Sequence, residues 1–237
     1  MMTNYMNDEM PTTTLLKDYT PPPYLITHID LTVEIFPSHT EVKSRLDVSR
    51  NSNVSSHSPL ILNGCDLELV CLSIDNLKLS HTEYTTTDEH LTINGVPETF
   101  VLETVVQIQP TNNTRLEGLY ASKDGLFTQC EAEGFRRITY FLDRPDVMSR
   151  YTTTIVADPD QYPVLLSNGN LEAGGKNTEG KHWARWVDPF LLAPLSRLAS
   201  QQTTPTRRTM EDLDLLLQFV AWTPPPSQTL RRCHMTL

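Results

Sequence analysis

The amino-acid sequence predicts an all-β fold, an antiparallel β-sandwich or saddle-like domain followed by a poorly ordered C-terminal tail. Short runs of alternating apolar and polar residues recur between about residues 24 and 190. Asn-Gly and proline turns separate these runs, and no helical periodicity occurs before residue 110. Short strands spaced roughly 8 to 12 residues apart and joined by such turns are typical of antiparallel β domains.

The first predicted strands form a hairpin. Apolar and polar residues alternate through segment 26–36, which is the pattern of a half-buried strand. The same alternation returns in segment 42–48 after a proline turn, so residues 26–49 are predicted to pair as a β-hairpin. Residues 1–23 lack this period and are predicted to be a flexible lead-in, which ends in three prolines that favour an extended chain.

Further short strands are predicted along the rest of the domain, which is expected to span residues 24–190. They are segments 60–62, 67–73, 74–79, 91–93, 100–108, 151–157, 164–167 and 181–187. The dipeptides Asn63-Gly64 and Asn94-Gly95 mark turns between them. The neighbouring glycines at 174 and 175 predict a bend before the last of these strands.

Composition argues against several functional classes. The net charge of −10 disfavours a nucleic-acid binder that works through phosphate contacts, and it would repel an anionic membrane surface. The sequence has no run of about 18 apolar residues and begins with a polar, acidic segment, so neither a transmembrane helix nor a signal peptide is predicted. We therefore expect a cytoplasmic protein whose four cysteines are reduced.

The densest group of charges lies in segment 128–147, TQCEAEGFRRITYFLDRPDV. Gly134 is expected to adopt a backbone conformation that other residues avoid, so that Glu131 and Glu133 are presented from a turn. Glu133 is expected to be structural and to pair with Arg136 or Arg137. The stretch as a whole is predicted to form the wall of a site.

Two other features of this stretch favour structural roles. Residues 143–146, DRPD, are expected to form a turn with local ion pairs. Cys130 is not expected to be a nucleophile, because its acidic neighbour disfavours the thiolate.

Four segments carry a resemblance to a known family. They are LNGCDLELV (62–70), residues 116–158 with TQCEAEGFR and YFLDRPDV, YPVLLSNGN (162–170) and HWARWVDPF (182–190). Together they resemble the N-terminal domain of bacterial aminopeptidase N, a zinc metalloaminopeptidase of the gluzincin class. The resemblance covers about residues 14–190. It implies a saddle-like, largely antiparallel β domain that packs over a thermolysin-like catalytic domain.

The resemblance also implies roles for two residues. Gln129 and Glu131 match the family positions that reach from the N-terminal domain into the active site. There the glutamate helps to hold the free α-amino group of the substrate, and the glutamine lines the pocket for the first side chain. Peptide N-termini are therefore the expected ligands, since a carboxylate facing an ammonium forms a charge-assisted hydrogen bond. An exopeptidase needs such an anchor to recognise the chain end.

The catalytic motifs of that family are not found in the sequence. None of the seven histidines belongs to an HExxH motif, which would supply two zinc ligands and a general base, and GxMEN is absent. No catalytic residue, metal ligand or cofactor is expected in this chain, because the zinc of the family is bound by a domain that follows. We expect a truncated or frame-shifted aminopeptidase N that is inactive alone and that a separate catalytic domain could complement.

The tail, residues 191–237, differs in composition from the rest of the chain. It contains five prolines but no glycine or lysine, and it departs from the family pattern. Residues 210–220, MEDLDLLLQFV, fit a short helix with acidic residues in its first turn. An isolated helix of that length is marginal in water. The tail is therefore expected to be out of the family's reading frame and either disordered or a short helix.

Two other functional classes stay open. One is a non-catalytic β domain whose exposed face binds another protein. The other is a two-carboxylate hydrolase that uses Glu131 and Glu133, which would lie ~7 Å apart on one strand, within the range of inverting glycosidases. Gly134 argues against a regular strand at this point. The aminopeptidase hypothesis is therefore preferred.

Overall fold

The computed structural model describes residues 17, 19–54, 58–122, 125–192 and 219–222. Within these ranges the regular structure is almost entirely β, so the predicted all-β fold is confirmed. The strands are β1 (Tyr24–Ile35), β2 (Thr40–Arg50), β3 (Leu60–Asn63), β4 (Glu68–Ile74), β5 (Leu77–Lys78), β6 (Tyr84–Thr86), β7 (His90–Ile93), β8 (Thr99–Ile108), β9 (Gly118–Ser122), β10 (Gly125–Gln129), β11 (Ser149–Ala157), β12 (Val164–Ser167), β13 (Asn170–Lys176), β14 (His182–Leu192) and β15 (Phe219–Trp222).

The helices of the described residues are single 3-10 turns, Pro110–Asn112 and Phe135–Arg137. Neither is long and apolar enough to cross a membrane.

The strands form three sheets. The largest has the order β13-β14-β11-β1-β2-β8-β4-β5, a four-stranded sheet has the order β12-β15-β10-β9, and a three-stranded sheet has the order β3-β7-β6. The pairing is antiparallel as predicted, except that β1 and β11 run parallel. A parallel pair needs a long crossover connection, and here the connection is segment 36–148, which builds most of the remaining structure.

The β1–β2 hairpin forms in the predicted place. Leu31 lies opposite Ser44, and Val33 lies opposite Val42. The alternating apolar side chains of β1 are buried in a hydrophobic cluster to which all three sheets contribute. This hairpin therefore follows directly from the period-2 pattern, because one face of each strand packs on the core.

Five strands have no counterpart among the predicted strand segments: β6, β9, β10, β13 and β15. The predicted bend at Gly174 and Gly175 is wrong, because both residues lie in β13 and pair with β14. A Cβ atom at Gly175 would lie 3.4 Å from the Trp183 ring, and one at Gly174 would lie 3.1 Å from the Trp183 carbonyl oxygen. These glycines therefore allow close packing against Trp183 and do not turn the chain.

The tail contributes one described strand. β15 pairs antiparallel with both β10 and β12 and so fills the gap between them. The helix predicted for residues 210–220 is wrong at Phe219 and Val220, which belong to β15. Its residues 210–218 lie outside the described residues, as do residues 193–209 and 223–237 of the tail and residues 1–16 and 18 of the predicted lead-in; residues 191 and 192 are the end of β14. β-pairing at Phe219 and Val220 satisfies backbone groups that a marginal helix end would leave exposed.

Buried hydroxyl groups connect the central segment to the large sheet. The Ser44 and Thr104 hydroxyls lie 2.8 Å apart on β2 and β8, and the Thr139 hydroxyl lies 3.1 and 3.3 Å from them. All three residues are buried. Because buried hydroxyl groups need partners, this cluster fixes the position of Thr139, and with it segment 135–143, on the sheet.

Candidate functional site

The two residues expected to contact substrate lie at the end of a strand. Gln129 is the last residue of β10 and is exposed, and Glu131 is half-buried at the start of the following turn. The Glu131–Ala132 peptide bond is cis. Among the described residues, neither side chain takes part in a hydrogen bond or ion pair. Both polar groups are therefore available to a ligand.

The Glu133 side chain forms an ion pair. Its carboxylate lies 3.1 Å from Nη2 of Arg136, which confirms the predicted structural role. Glu131 and Glu133 lie in a turn and not on one strand, so the geometric premise of a two-carboxylate hydrolase is wrong. Gly134, which follows them, breaks the strand pattern as expected.

The reason for glycine at 134 differs from the prediction. Its φ of −86° and ψ of −12° are ordinary right-handed values that any residue adopts. A Cβ atom at this position would instead lie 2.6 Å from the Gln129 carbonyl oxygen and 2.8 Å from the Cα of Cys130. The turn folds back tightly onto the end of β10, and the N–H of Gly134 donates to the Cys130 carbonyl at 2.8 Å. Glycine is needed here for space.

A second glycine faces this turn from β9. Gly118 has a φ of +69°, which favours glycine, and a Cβ atom there would lie 2.6 Å from the Cβ of Arg137. Arg137 itself donates from Nε to Glu117 at 3.0 Å and also pairs with Asp66. The close approach of Gly118 and Gly134 thus places the turn directly against β9.

A buried ion pair closes the other end of the turn. The Asp143 side chain is fully shielded from solvent, and its Oδ2 accepts hydrogen bonds from the main-chain N–H and the Nε of Arg136 at 3.1 and 3.0 Å. Nη2 of Arg136 also donates to the Asp143 carbonyl oxygen at 3.2 Å. Burial raises the pKa of the Asp143 carboxyl above its usual value, and the hydrogen bonds and charge of Arg136 oppose this effect.

The segment that carries Asp143 is held by β3 and the residues after it. Asn63 exchanges two main-chain hydrogen bonds with Phe141, at 2.8 and 3.1 Å, and its side-chain oxygen accepts from the N–H of Asp143 at 3.2 Å. The N–H of Cys65 donates to the carbonyl oxygen of Arg136 at 2.9 Å. Residues 63–65 therefore help to fix both members of the buried pair.

The predicted turn at residues 143–146 contains the expected local ion pair. Nε and Nη2 of Arg144 donate to the two carboxylate oxygens of Asp146 at 2.9 and 2.8 Å. These bonds lower the pKa of the Asp146 carboxyl, to which the Tyr19 hydroxyl also donates. Asp143 does not join this local pair, because its carboxylate points to Arg136.

Polar groups behind the turn are buried. Burial, together with the Asp143 charge, raises the pKa of the Cys130 thiol well above its usual range, which agrees with the expectation that Cys130 is not a nucleophile. Burial also raises the pKa of the Tyr151 hydroxyl. Oδ1 of Asp143 and the Tyr151 hydroxyl oxygen are both buried without a hydrogen-bond partner in the described part of the chain.

The described residues do not form a metal site. Nowhere among them do three or more His, Cys, Asp or Glu side chains come close enough to hold a metal ion. Zinc needs about four ligands, three of them from protein at a catalytic site. The described residues therefore do not fit a resident zinc ion.

A comparison with known protein families identifies the family of this chain. The family model of the peptidase M1 N-terminal domain matches residues 25–193, which is more than half of the chain. The chain belongs to the peptidase M1 N-terminal domain family. The resemblance stated from the sequence segments is thereby confirmed, and the turn at Glu131 is part of an M1 N-terminal domain.

Relatives with curated names agree with this assignment. The chain is 49% identical over 173 residues to aminopeptidase N of Escherichia coli strain K12, a match that covers 73% of this chain and 19% of that protein. It is 46% identical over 185 residues to aminopeptidase N of Caulobacter vibrioides, covering 78% of this chain and 21% of that protein. The chain thus spans about a fifth of the length of these relatives.

Solved structures resemble the M1 N-terminal domain described here. Aminopeptidase A of Legionella pneumophila, solved in complex with aspartic acid, has a TM-score of 0.70 and 37% sequence identity. That match covers 76% of this chain and 21% of the Legionella chain. An M1 zinc metallopeptidase of Deinococcus radiodurans has a TM-score of 0.62 at 13% identity, covering 73% of this chain and 40% of that chain. The second likeness shows the fold alone.

Proposed function

We propose that this chain is the substrate-anchoring domain of a zinc aminopeptidase, and that it does not hydrolyse peptides unless a catalytic domain is supplied. The observation that carries the proposal is the Glu131 carboxylate. It is half-buried on a turn that is fixed by hydrogen bonds, and it has no hydrogen-bond or ion-pair partner among the described residues. Such a carboxylate is suited to accept hydrogen bonds from the α-ammonium group at a peptide N-terminus.

Gln129 supplies the second contact in this proposal. It lies two residues before Glu131 and is exposed at the end of β10. Its amide can donate and accept hydrogen bonds, so it can line the space for the first side chain without requiring one charge there. The amino acid bound by the Legionella relative supports a ligand with a free α-amino group.

The proposal of inactivity alone rests on the chemistry of the chain. The sequence contains no HExxH motif, and the described residues do not bring together the ligands of a metal ion. In a complete zinc aminopeptidase the metal would activate the attacking water, and the described residues of this chain would not hold that metal. A single partly exposed ion pair is worth only ~0–1 kcal/mol, and the isolated chain should bind amino acids weakly.

A non-catalytic interaction domain is the alternative. The most exposed large apolar side chains of the described residues lie on different elements. They are Tyr19, Leu77, Leu116, Met148 and Leu171. Single exposed apolar residues are normal on protein surfaces, so they favour the alternative only weakly.

The deciding experiment is complementation. Peptidase activity towards alanyl and arginyl chromogenic substrates is measured with added zinc, for the chain alone and after mixing with a separately produced catalytic portion of a close relative. We expect no activity from the chain alone and activity in the mixture. Glu131→Ala should lower the activity of the mixture by at least about tenfold, because the ammonium anchor is lost.

Glu179→Ala is the matched control. Glu179 is an exposed glutamate in the turn between β13 and β14 of the large sheet, whereas Glu131 follows β10 of the four-stranded sheet, and its replacement should leave the activity of the mixture unchanged. Activity from the chain alone would disprove the absence of a zinc site. No activity in either case would support the interaction domain.

A further inference from the structure

We propose that Arg136 and Asp143 are positioning residues that hold the Glu131 turn in the geometry that the substrate ammonium group requires. The inference rests on the proposed function, since it concerns the same site. It assigns a role to a buried ion pair that does not itself reach the substrate. The argument starts from how the turn is fixed in space.

The turn is held at both of its ends. At its start, β10 and the hydrogen bond from Gly134 to Cys130 fix the backbone. At its end, a single oxygen of Asp143 accepts from both the main chain and the side chain of Arg136, at 3.1 and 3.0 Å. One carboxylate therefore determines where the main chain leaves the turn and how the guanidinium is oriented.

The Arg136 guanidinium also reaches back into the turn. Its Nη2 donates to the Asp143 carbonyl oxygen at 3.2 Å and lies 3.1 Å from the Glu133 carboxylate. Glu131 has no such restraint among the described residues, so its direction depends on the backbone on either side of it. A change at Asp143 can thus move the anchor carboxylate without altering its chemistry.

Stability alone is a poor reason for this arrangement. Taking two charges out of water is costly, and apolar residues of similar volume often stabilise a core as well as a buried ion pair does. One Asp143 oxygen is also left buried without a described partner. What the pair supplies is a fixed direction, because charge-assisted bonds from a planar guanidinium tolerate little rotation.

The test uses steady-state kinetics of the complemented assembly, with the full chain carrying Asp143→Asn or Arg136→Lys. Loss of positioning should raise KM by about tenfold or more, because misplacement of an anchoring group by about 1 Å has effects of that size. A simple folding defect would instead lower the concentration of competent enzyme, so that apparent kcat falls while KM stays unchanged. That result would overturn the inference.

The matched controls are Asp146→Asn and Arg144→Lys. These residues form an Arg–Asp pair in the same segment, with bonds of 2.9 and 2.8 Å, but they do not contact the Glu131 turn. Their replacement should change KM by less than about twofold, because this partly buried pair does not bond to the Glu131 turn. An equal rise of KM in these controls would count against a specific role for the buried pair.

A double-mutant cycle shows whether Asp143 acts through Glu131. In the Glu131→Ala background, Asp143→Asn should add little further loss of kcat/KM, because the group that it positions is already absent. Fully additive losses would mean that Asp143 acts independently of Glu131, and the inference would fail.

Hydrogen exchange of the chain alone separates this inference from the proposed function. If the wild-type mixture is inactive, the proposed function fails, but the positioning role can still be tested. Asp143→Asn should speed the exchange of the amides of residues 134–137 by about tenfold or more while the β1–β2 amides stay protected. Unchanged exchange in residues 134–137 would refute the positioning role. If Asp143→Asn loses amide protection throughout the domain, the same measurement is made on Arg136→Lys, which keeps the positive charge. Faster exchange confined to residues 134–137 is then expected.

Discussion

The Gln129 carbonyl oxygen lies so close to Gly134 that a Cβ atom on Gly134 would come within 2.6 Å of it. Such a distance is below any ordinary contact, and the backbone around the turn leaves little room to adjust. The turn that carries Glu131 is therefore compatible only with glycine at this position. The same residue connects the sequence motif EAEG with the geometry of the site.

Gly134→Ala should destabilise the domain by about 1–3 kcal/mol, the typical cost of forcing an extra methyl group into a packed position. Urea denaturation measures the change. Gly95→Asn is the control, because a Cβ atom there meets nothing within 4 Å and its φ of +67° lies in the left-handed region in which asparagine is enriched. The control should change stability by less than about 0.5 kcal/mol. Equal stability of Gly134→Ala and wild type would contradict the close contact.

The sequence is informative where the pattern is local. The β1–β2 hairpin could be predicted because its alternation is unbroken and one face packs on the core. β9, β10 and β13 each contain glycine, β13 also contains Glu172 and Lys176, and their neighbours in the sheets stabilise these strands. Such pairing is non-local, so sequence periodicity does not reveal it.

In the candidate site, too, local features could be predicted from the sequence and non-local contacts could not. The motif placed Glu131 in a turn, but the reason for Gly134 depends on the carbonyl of Gln129, which only the folded structure brings near. Asp143 was expected in a local turn, yet it pairs with Arg136 because Asn63 of β3 bonds to Phe141 and Asp143 and so fixes their segment. The signal that could have suggested this pairing is the unusual density of charge among aromatic residues in segment 128–147.

The two aspartates of segment 143–146 should influence stability with opposite dependence on pH. Arg144 lowers the pKa of Asp146, so the stabilisation from this pair is present above the ordinary aspartate pKa and is lost as the pH falls through the lowered value. Burial raises the pKa of Asp143. The folded state therefore binds the Asp143 proton more tightly, and stability declines as the pH rises from the ordinary to the raised pKa.

Unfolding free energies from about pH 3 to pH 7 test this difference. Relative to wild type, Asp146→Asn should become less stable as the pH rises. Asp143→Asn should gain stability relative to wild type over the acidic range above the ordinary aspartate pKa. Parallel pH profiles for the two variants would show that the surroundings of the two carboxyl groups do not differ as described.

The tail strand β15 should be needed to order the four-stranded sheet. Ala221 lies opposite Leu126 of β10 and Leu165 of β12, so it occupies a strand with neighbours on both sides. Proline cannot donate to a sheet from such a position. Ala221→Pro should therefore speed amide exchange in β10 and β12 and leave the β1–β2 hairpin protected. Ala221→Ser keeps the N–H and serves as the control; equal exchange in both variants would rule out this pairing.

Gln129 should influence which first side chain the complemented assembly prefers. In the proposed site it borders the space for that side chain, so Gln129→Glu places a carboxylate there with almost no change in volume. A carboxylate attracts guanidinium, and the ratio of kcat/KM for arginyl over alanyl substrate should rise by several-fold to about tenfold. Gln107→Glu on β8 is the matched control for added negative charge, and it should leave the ratio unchanged. A ratio that Gln129→Glu does not alter would place this residue outside the pocket.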